Sequence, residues 1–346
     1  MTTLFQAYEL NKTLTLQNKI IMAPLTRCFA GEGFVATDEM AAYYAKRAGA
    51  GLIITEATVV APSGHGYPNT SGIYTEEQIA GWKKVTDAVH AEGGTIFMQL
   101  WHVGRISHSI YLDGDQPVAP SALAHEGRIP RTDDLQYPVP RALEIEEIYA
   151  LESAYIQGAK NAIEAGFDGV EIHGANGYLI DQFLRGSTNE RTDGFGGSMT
   201  NRTRFALDIV KGICAEVCSD RVGIRLSPGA YVHLEHTSGD EETFSYLLKE
   251  LEQFNLAYVH TGIFDDSTKF DYLDGGSTEF LRKNYSGTVI ASGGYDAAKA
   301  TAAIDSGAAD VVAIGRAFIA NPDLVERIKN GVELVDYSEE MLGSLV

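Results

Sequence analysis

A short apolar run, Gly169-Val-Glu-Ile-His173, ends on an imidazole, and an amide at Asn176 and a phenol at Tyr178 follow within five residues. Two neutral hydrogen-bond donors and a proton donor therefore stand together just past a strand. Their chemistry is hydrogen-bond donation and proton transfer, which makes this stretch the candidate active centre. A single histidine behind a strand is usually a satisfied core residue; Asn176 and Tyr178, three and five positions on, argue against that for His173. Further along, Arg191, Asp193 and Arg202 read as a salt-bridged brace under the loop, with Ser198 or Thr200 capping the next helix.

The elements that must position these groups are legible as a repeat. Apolar runs at 19–23, 52–57, 95–100, 169–173, 222–226, 257–260, 288–291 and 310–314 alternate with helical patterns at 37–47, 75–90, 144–165, 201–217, 241–254, 278–283 and 297–306. Each run is continuously hydrophobic, as parallel strands covered by helices are. The expected fold is α/β, a single (β/α)8 TIM barrel. A doubly wound open sheet competes, but no Gly-x-Gly-x-x-Gly follows the first run. Leu10, Leu14 and Leu16 around Asn11-Lys12 predict an N-terminal β-hairpin, a lid on one barrel end. Residues 101–143, with Pro117, Pro120, Pro130, Pro138 and Pro140, read as a long structureless insertion after strand three, of the kind that caps a site. With no linker or low-complexity tract, one domain over 1–346 is expected.

Composition narrows the function. The chain has 346 residues, 45% hydrophobic and 21% charged, with a formal charge of −20 that argues against a nucleic-acid partner. Cys28, Cys214 and Cys218 have no spacing that suggests a disulfide framework or cysteine-bound cluster, so a reducing, cytoplasmic setting is expected. The first ten residues lack a basic region followed by an apolar one, and no apolar run reaches the roughly 18 residues of a membrane span. Neither export nor a membrane partner is expected.

In such a barrel the active site lies at the C-terminal strand ends. Those ends supply Pro24, Thr26 and Arg27; Ala57; Gln99, Trp101 and His102; His173, Asn176 and Tyr178; Arg225; His260; Gly293-Gly294; and Gly315-Arg316. The set is short of ionised carboxylates, has no three-residue metal site and no Ser or Cys nucleophile beside a base. It is rich in amides, hydroxyls and guanidinium groups, which is how a protein holds a polar, planar heteroaromatic cofactor. Gly293-Gly294 and Gly315-Arg316 follow strands seven and eight, where barrels of this kind commonly bind phosphate. Taken singly, each glycine could serve a tight turn only.

At this point the motifs Met22-Ala-Pro24-Leu25-Thr26-Arg27, Gln99-Leu-Trp101-His102-Val-Gly104-Arg105, His173-Gly-Ala-Asn176-Gly-Tyr178, Arg191-Thr-Asp193 and Gly315-Arg316-Ala-Phe318 resemble the old yellow enzyme family of flavin-dependent ene-reductases, from about residue 3 to about 330. The resemblance implies FMN across the barrel mouth, reduced by NADPH or NADH, with hydride then delivered to the β-carbon of an activated alkene. It places Pro24, Thr26 and Ala57 at the flavin ring, Gln99 and Arg225 at its pyrimidine edge, and Gly294, Gly315 and Arg316 at the phosphate. His173 and Asn176 would grip the substrate's carbonyl or nitro oxygen, Tyr178 would protonate the α-carbon, and Tyr67 and Trp101 would line the substrate pocket. His102 and Arg105 are taken as structural or peripheral.

Expected substrates are α,β-unsaturated carbonyls, with maleimides, nitroalkenes and nitrate esters beside them. His173 with Asn176 replaces a histidine pair, so altered substrate preference with retained activity is expected. Thr26 stands where another branch carries cysteine, and Cys28 is not that flavin-tuning thiol. The segment ending at Val346 lacks a longer aromatic tail, which leaves any substrate contact from such a tail in question. Iron–sulfur dienoyl-CoA reductases need a cysteine cluster that three scattered cysteines do not supply. A dihydrouridine synthase would have to bind RNA against the −20 charge. A non-catalytic flavin-binding or sensor protein is the remaining alternative, and monomer and homodimer are both open.

Overall fold

The computed structural model describes residues 3–129, 132 and 134–346; Met1 and Pro130 lie outside the described residues. In chain order the elements are β1 (Tyr8–Glu9), β2 (Thr15–Leu16), β3 (Ile20–Met22), α1 (Asp38–Ala45), β4 (Leu52–Val59), α2 (Glu76–Ala91), β5 (Ile96–Trp101), β6 (Val118–Ala119), β7 (Arg141–Ala142), α3 (Ile145–Glu164) and β8 (Gly169–Gly174). There follow α4 (Leu179–Leu184), α5 (Met199–Val217), β9 (Val222–Leu226), α6 (Asp240–Leu251), β10 (Tyr258–Thr261), α7 (Ser277–Asn284), β11 (Val289–Ala291), α8 (Ala297–Asp305), β12 (Val311–Ile314), α9 (Arg316–Ala320) and α10 (Leu324–Asn330). Strands β3, β4, β5, β8, β9, β10, β11 and β12 close in that order into a parallel barrel, the expected (β/α)8 architecture. Every residue of these eight strands is buried, which is why their sequences run hydrophobic without alternation.

Local signals set the helix starts. The Thr37 hydroxyl accepts from the Met40 amide, Thr75 and Gln78 form a reciprocal capping box, and Ser198 caps the Asn201 amide. Of the two capping residues proposed for α5, Ser198 is the one used. The hairpin also forms, Tyr8 pairing with Leu16. Leu10 and Leu16 then pack with Ile21, Leu52, Phe97, Tyr258 and Val311 to plug the barrel at its N-terminal end. Fully burying a leucine there contributes roughly 2 kcal/mol. Above that plug Gly223 is required: a Cβ would come within 2.3 Å of the Tyr258 ring.

Two expectations need correction. Residues 101–143 are not structureless: β6 and β7 pair, with Val118 opposite Arg141, and Arg141 is held to Glu147 at 2.7 Å. Two-residue strands are too short to leave a periodic pattern in sequence, and the flanking prolines hid them. Strand β4 runs to Val59, beyond the expected end at Ala57, with a register irregularity between Ile54 and Ala57. Glu56 lies within that irregularity, 1% exposed and bonded to the Tyr44 hydroxyl of α1. Among the described residues no helix is long and apolar enough to cross a membrane.

Candidate active site

The parallel register fixes the levels of the mouth. Gln99 on β5 stands opposite Glu171 on β8, and Arg225 on β9 stands opposite both His173 on β8 and His260 on β10. Beside Arg225, a cavity of about 390 Å³ opens between Pro24, Leu25, Ser292, Gly293, Gly294, Gly315 and Arg316. Gly293 (φ 112°) and Gly294 (φ 74°) adopt backbone angles that residues with a side chain rarely reach, so the turn presents bare backbone to the cavity. The Arg316 guanidinium is exposed and stacks 4.9 Å from the Phe264 ring.

A second, aromatic region adjoins it. Ala57, Trp101, Tyr67 and Tyr178 belong to one apolar cluster. Trp101 is stacked on Tyr67 at 5.6 Å and meets Tyr178 edge-on at 5.0 Å. Tyr178 precedes α4, its hydroxyl 3.0 Å from that of Tyr67 and its ring 5.1 Å from His173. Burial raises the Tyr178 phenol above its ordinary value of 10.0, with the Tyr67 contact opposing, so it carries its proton at neutral pH. Burial first, then Arg225 and His260, hold the His173 imidazole well below its ordinary value, and the ring is neutral. Its Nδ1 accepts from the Ala175 amide at 3.4 Å, which leaves Nε2 as the protonated nitrogen.

Asn176 sits at φ 61°, a left-handed conformation that asparagine tolerates, followed by Gly177 at φ 76°. A Cβ on Gly177 would lie 2.7 Å from His233 Cβ. The Asn176 amide nitrogen of the backbone donates to Ser227 Oγ at 3.1 Å, and its side-chain Oδ1 accepts from Ser227 Oγ at 3.3 Å and from the Tyr231 hydroxyl. With the oxygen engaged, the side-chain nitrogen is the end left to donate.

The loop rests on a buried network. Asp181 accepts from the Gly177 amide at 3.0 Å and pairs with Arg185 at 3.0 Å; Arg185 lies 3.6 Å from Asp240, which Arg202 approaches at 3.4 Å. The expected brace is thus divided. Arg191 does pair with Asp193, at 2.5 Å, and also donates to Pro120 and Leu143 carbonyls of the insertion. Arg202 instead joins Asp240, which lies too far along the chain for spacing to reveal it.

His102 and Arg105 make structural contacts. His102 is fully buried and bonded to Ser63 at 3.1 Å; Arg105 donates to the carbonyls of Leu123, Ala124 and His233, tying the insertion to the β9–α6 loop. Of the remaining candidates, Thr26 is half-buried on the loop after β3, and Gln99 is buried and bonded to Glu171 at 2.6 Å.

Sequence reasoning missed Glu56, Glu171, Ser227, Tyr231 and His233. Two buried carboxylates stand near the strand ends: Glu171 touches Gln99, and Glu56 accepts from the Arg27 and Cys28 amides at 3.4 Å. For Glu171 a signal was present, because it is two residues before His173 and strand periodicity puts both on one face.

The sequence pattern of the NADH:flavin oxidoreductase / NADH oxidase family matches residues 3–334. A 12-oxophytodienoate reductase 7 of Oryza sativa subsp. japonica is 42% identical, covering 96% of this chain and 89% of its own. Morphinone reductase in complex with tetrahydroNAD superposes with a TM-score of 0.90 at 44% identity, over 99% of this chain and 94% of that one. An old yellow enzyme homologue from Zymomonas mobilis gives a TM-score of 0.91 at 39% identity, over 98% and 96%. With nearly the whole chain matched in sequence and in fold, this protein belongs to the NADH:flavin oxidoreductase family and is an old yellow enzyme homologue.

Proposed function

We propose that the chain is an FMN-dependent ene-reductase that takes electrons from NADPH or NADH and reduces the double bond of small α,β-unsaturated carbonyl compounds. The observation that carries the reading is the joint placement of neutral His173, Asn176 with its amide oxygen already engaged, and protonated Tyr178, beside a glycine-lined cavity that Arg225 shares.

The residues present fit FMN. The bare backbone of Gly293-Gly294 and the Gly315-Arg316 turn suit a phosphate, and a Cβ on Gly315 would press on Leu25 at 3.2 Å. Arg225 and Gln99 suit the polar pyrimidine edge, and Pro24, Thr26 and Ala57 would border the ring. When bound, FMN supplies hydride transfer in both directions. His173 and Asn176 would then donate to the substrate oxygen, lowering the cost of enolate or nitronate charge. Tyr178 would deliver a proton to the α-carbon, the alkene carbon bonded to the carbonyl group. Tyr67 and Trp101 would fix the Tyr178 ring and wall the pocket. A flavin-binding protein without catalysis has no need of Tyr178 against His173.

The test is to load purified protein with FMN, add NADPH or NADH without oxygen, and then 2-cyclohexenone. Bleaching of the flavin followed by its return supports the reading; a flavin that does not bleach, or that bleaches and is not restored by the enone, contradicts it.

A further inference from the structure

Glu171 is a buried carboxylate to which the chemistry above gives no task. Glu171 is fully buried, one inward step below His173 on β8. Its Oε1 accepts from Gln99 Nε2 at 2.6 Å and its Oε2 faces His260 Nδ1 at 2.8 Å. Immediately below lie Tyr258, whose ring centre is 6.5 Å from that of His260, and Phe97, 6.0 Å from Tyr258. A carboxylate buried against these rings, with the Tyr258 phenol raised by burial and then by the carboxylate's presence, costs several kcal/mol unless it is paired.

Its surroundings keep it charged. Burial works to raise the Glu171 carboxyl, but His260, Arg225 and Gln99 together hold it below its ordinary value. Burial lowers His260, with Glu171 opposing, and the Nδ1 proton is shared with the carboxylate. One negative charge therefore stands just beneath the mouth, opposing the positive charge of Arg225. The Gln99 amide has two ends, and with its nitrogen committed to Glu171 its oxygen is the end available to an N–H on the pyrimidine edge of a flavin.

We propose that Glu171 is a positioning residue for the flavin: it fixes the orientation of the Gln99 amide and, as a counter-charge to Arg225, sets the reduction potential of the bound cofactor. The proposal rests on the FMN reading. Reduction adds negative charge to the flavin, which Arg225 favours and Glu171 opposes. Neutralising Glu171 must therefore favour the reduced form.

The experiment compares wild type, Glu171→Gln and Glu171→Asp for FMN affinity and for midpoint potential against a reference dye. Gln keeps an acceptor for Gln99 and removes the charge: the equilibrium is expected to move about tenfold toward reduced flavin, about +30 mV for a two-electron couple, with affinity little changed. Asp keeps the charge and withdraws it from Gln99: affinity is expected to fall about tenfold, with the redox equilibrium within about twofold of wild type, or about 9 mV. A Gln variant at the wild-type potential, or an Asp variant at wild-type affinity, overturns the proposal. If the Gln variant does not fold, the Asp variant decides; if neither folds, Glu171 is structural and the proposal falls. Wild-type protein that binds no FMN contradicts the functional reading itself, whereas FMN-binding variants that match wild type contradict only the role of Glu171.

Discussion

The hydroxyls of Tyr67 and Tyr178 lie 3.0 Å apart, and Trp101 touches both rings, stacked on one and edge-on to the other. Tyr67 thereby limits rotation of the phenol assigned to proton delivery. Tyr67→Phe removes one hydrogen bond worth about 1 kcal/mol while keeping the stack. Enone-dependent flavin reoxidation is expected to slow roughly fivefold, the factor that energy represents, with flavin reduction unchanged; stopped-flow measurement of the two half-reactions checks it.

The Tyr231 hydroxyl and Ser227 Oγ both donate to Asn176 Oδ1. Removing the phenol in Tyr231→Phe loosens the amide and allows it to turn its oxygen toward the substrate. Affinity for a phenolate-forming ligand, read from its charge-transfer absorbance with the flavin, is expected to fall about tenfold. Asn176→Ala should match it, and the double variant should cost little more, because both changes remove the same donor.

Glu56 gives a pH dependence with a definite sign. Burial raises its carboxyl from 4.5 to about 7. The folded state therefore holds a proton that the unfolded chain releases, so this stabilisation is full below pH 4.5 and is lost as pH rises through about 7. The difference is about 3 kcal/mol. Denaturant titrations across pH 4–8 should show wild type losing stability relative to Glu56→Gln over that window; parallel curves would rule out the burial of this proton.

Asp240 compensates two buried guanidinium groups, Arg185 at 3.6 Å and Arg202 at 3.4 Å. Asp240→Ala leaves both under-paired and is expected to cost about 3–5 kcal/mol, measured by chemical denaturation. Because the same network holds the Gly177 amide through Asp181, substrate-ligand affinity should fall with it, while the exposed Lys83–Asp87 pair can be broken by Asp87→Ala at a cost below about 0.5 kcal/mol.

What the sequence revealed and what it hid divide along physical lines. The barrel was legible because continuous hydrophobic runs and helix caps are local, and Thr37, Thr75 and Ser198 are all used as caps. The strand ends were legible too, because Gln99, His173, Arg225 and Gly294 each sit at or just past the end of an apolar run. Partners joined across the barrel were not: Glu171 with His260, Asn176 with Tyr231, and Arg202 with Asp240 are 89, 55 and 38 positions apart. Glu56 was hidden for another reason, since it lies within the register irregularity of β4. The paired ends of the insertion, at Val118 and Arg141, were concealed by the shortness of their strands.

In the proposed mechanism Tyr178 supplies the proton in the second half of the reaction while the rest of the site holds flavin and substrate. Anaerobic double-mixing stopped flow on wild type and Tyr178→Phe tests it most directly, by following flavin reduction with NADPH and then reoxidation by 2-cyclohexenone. Flavin reduction should agree within about twofold, and reoxidation by the enone should be at least about 10²-fold slower in the variant. Equal slowing of both halves, or equal reoxidation by the enone in the two proteins, would contradict it.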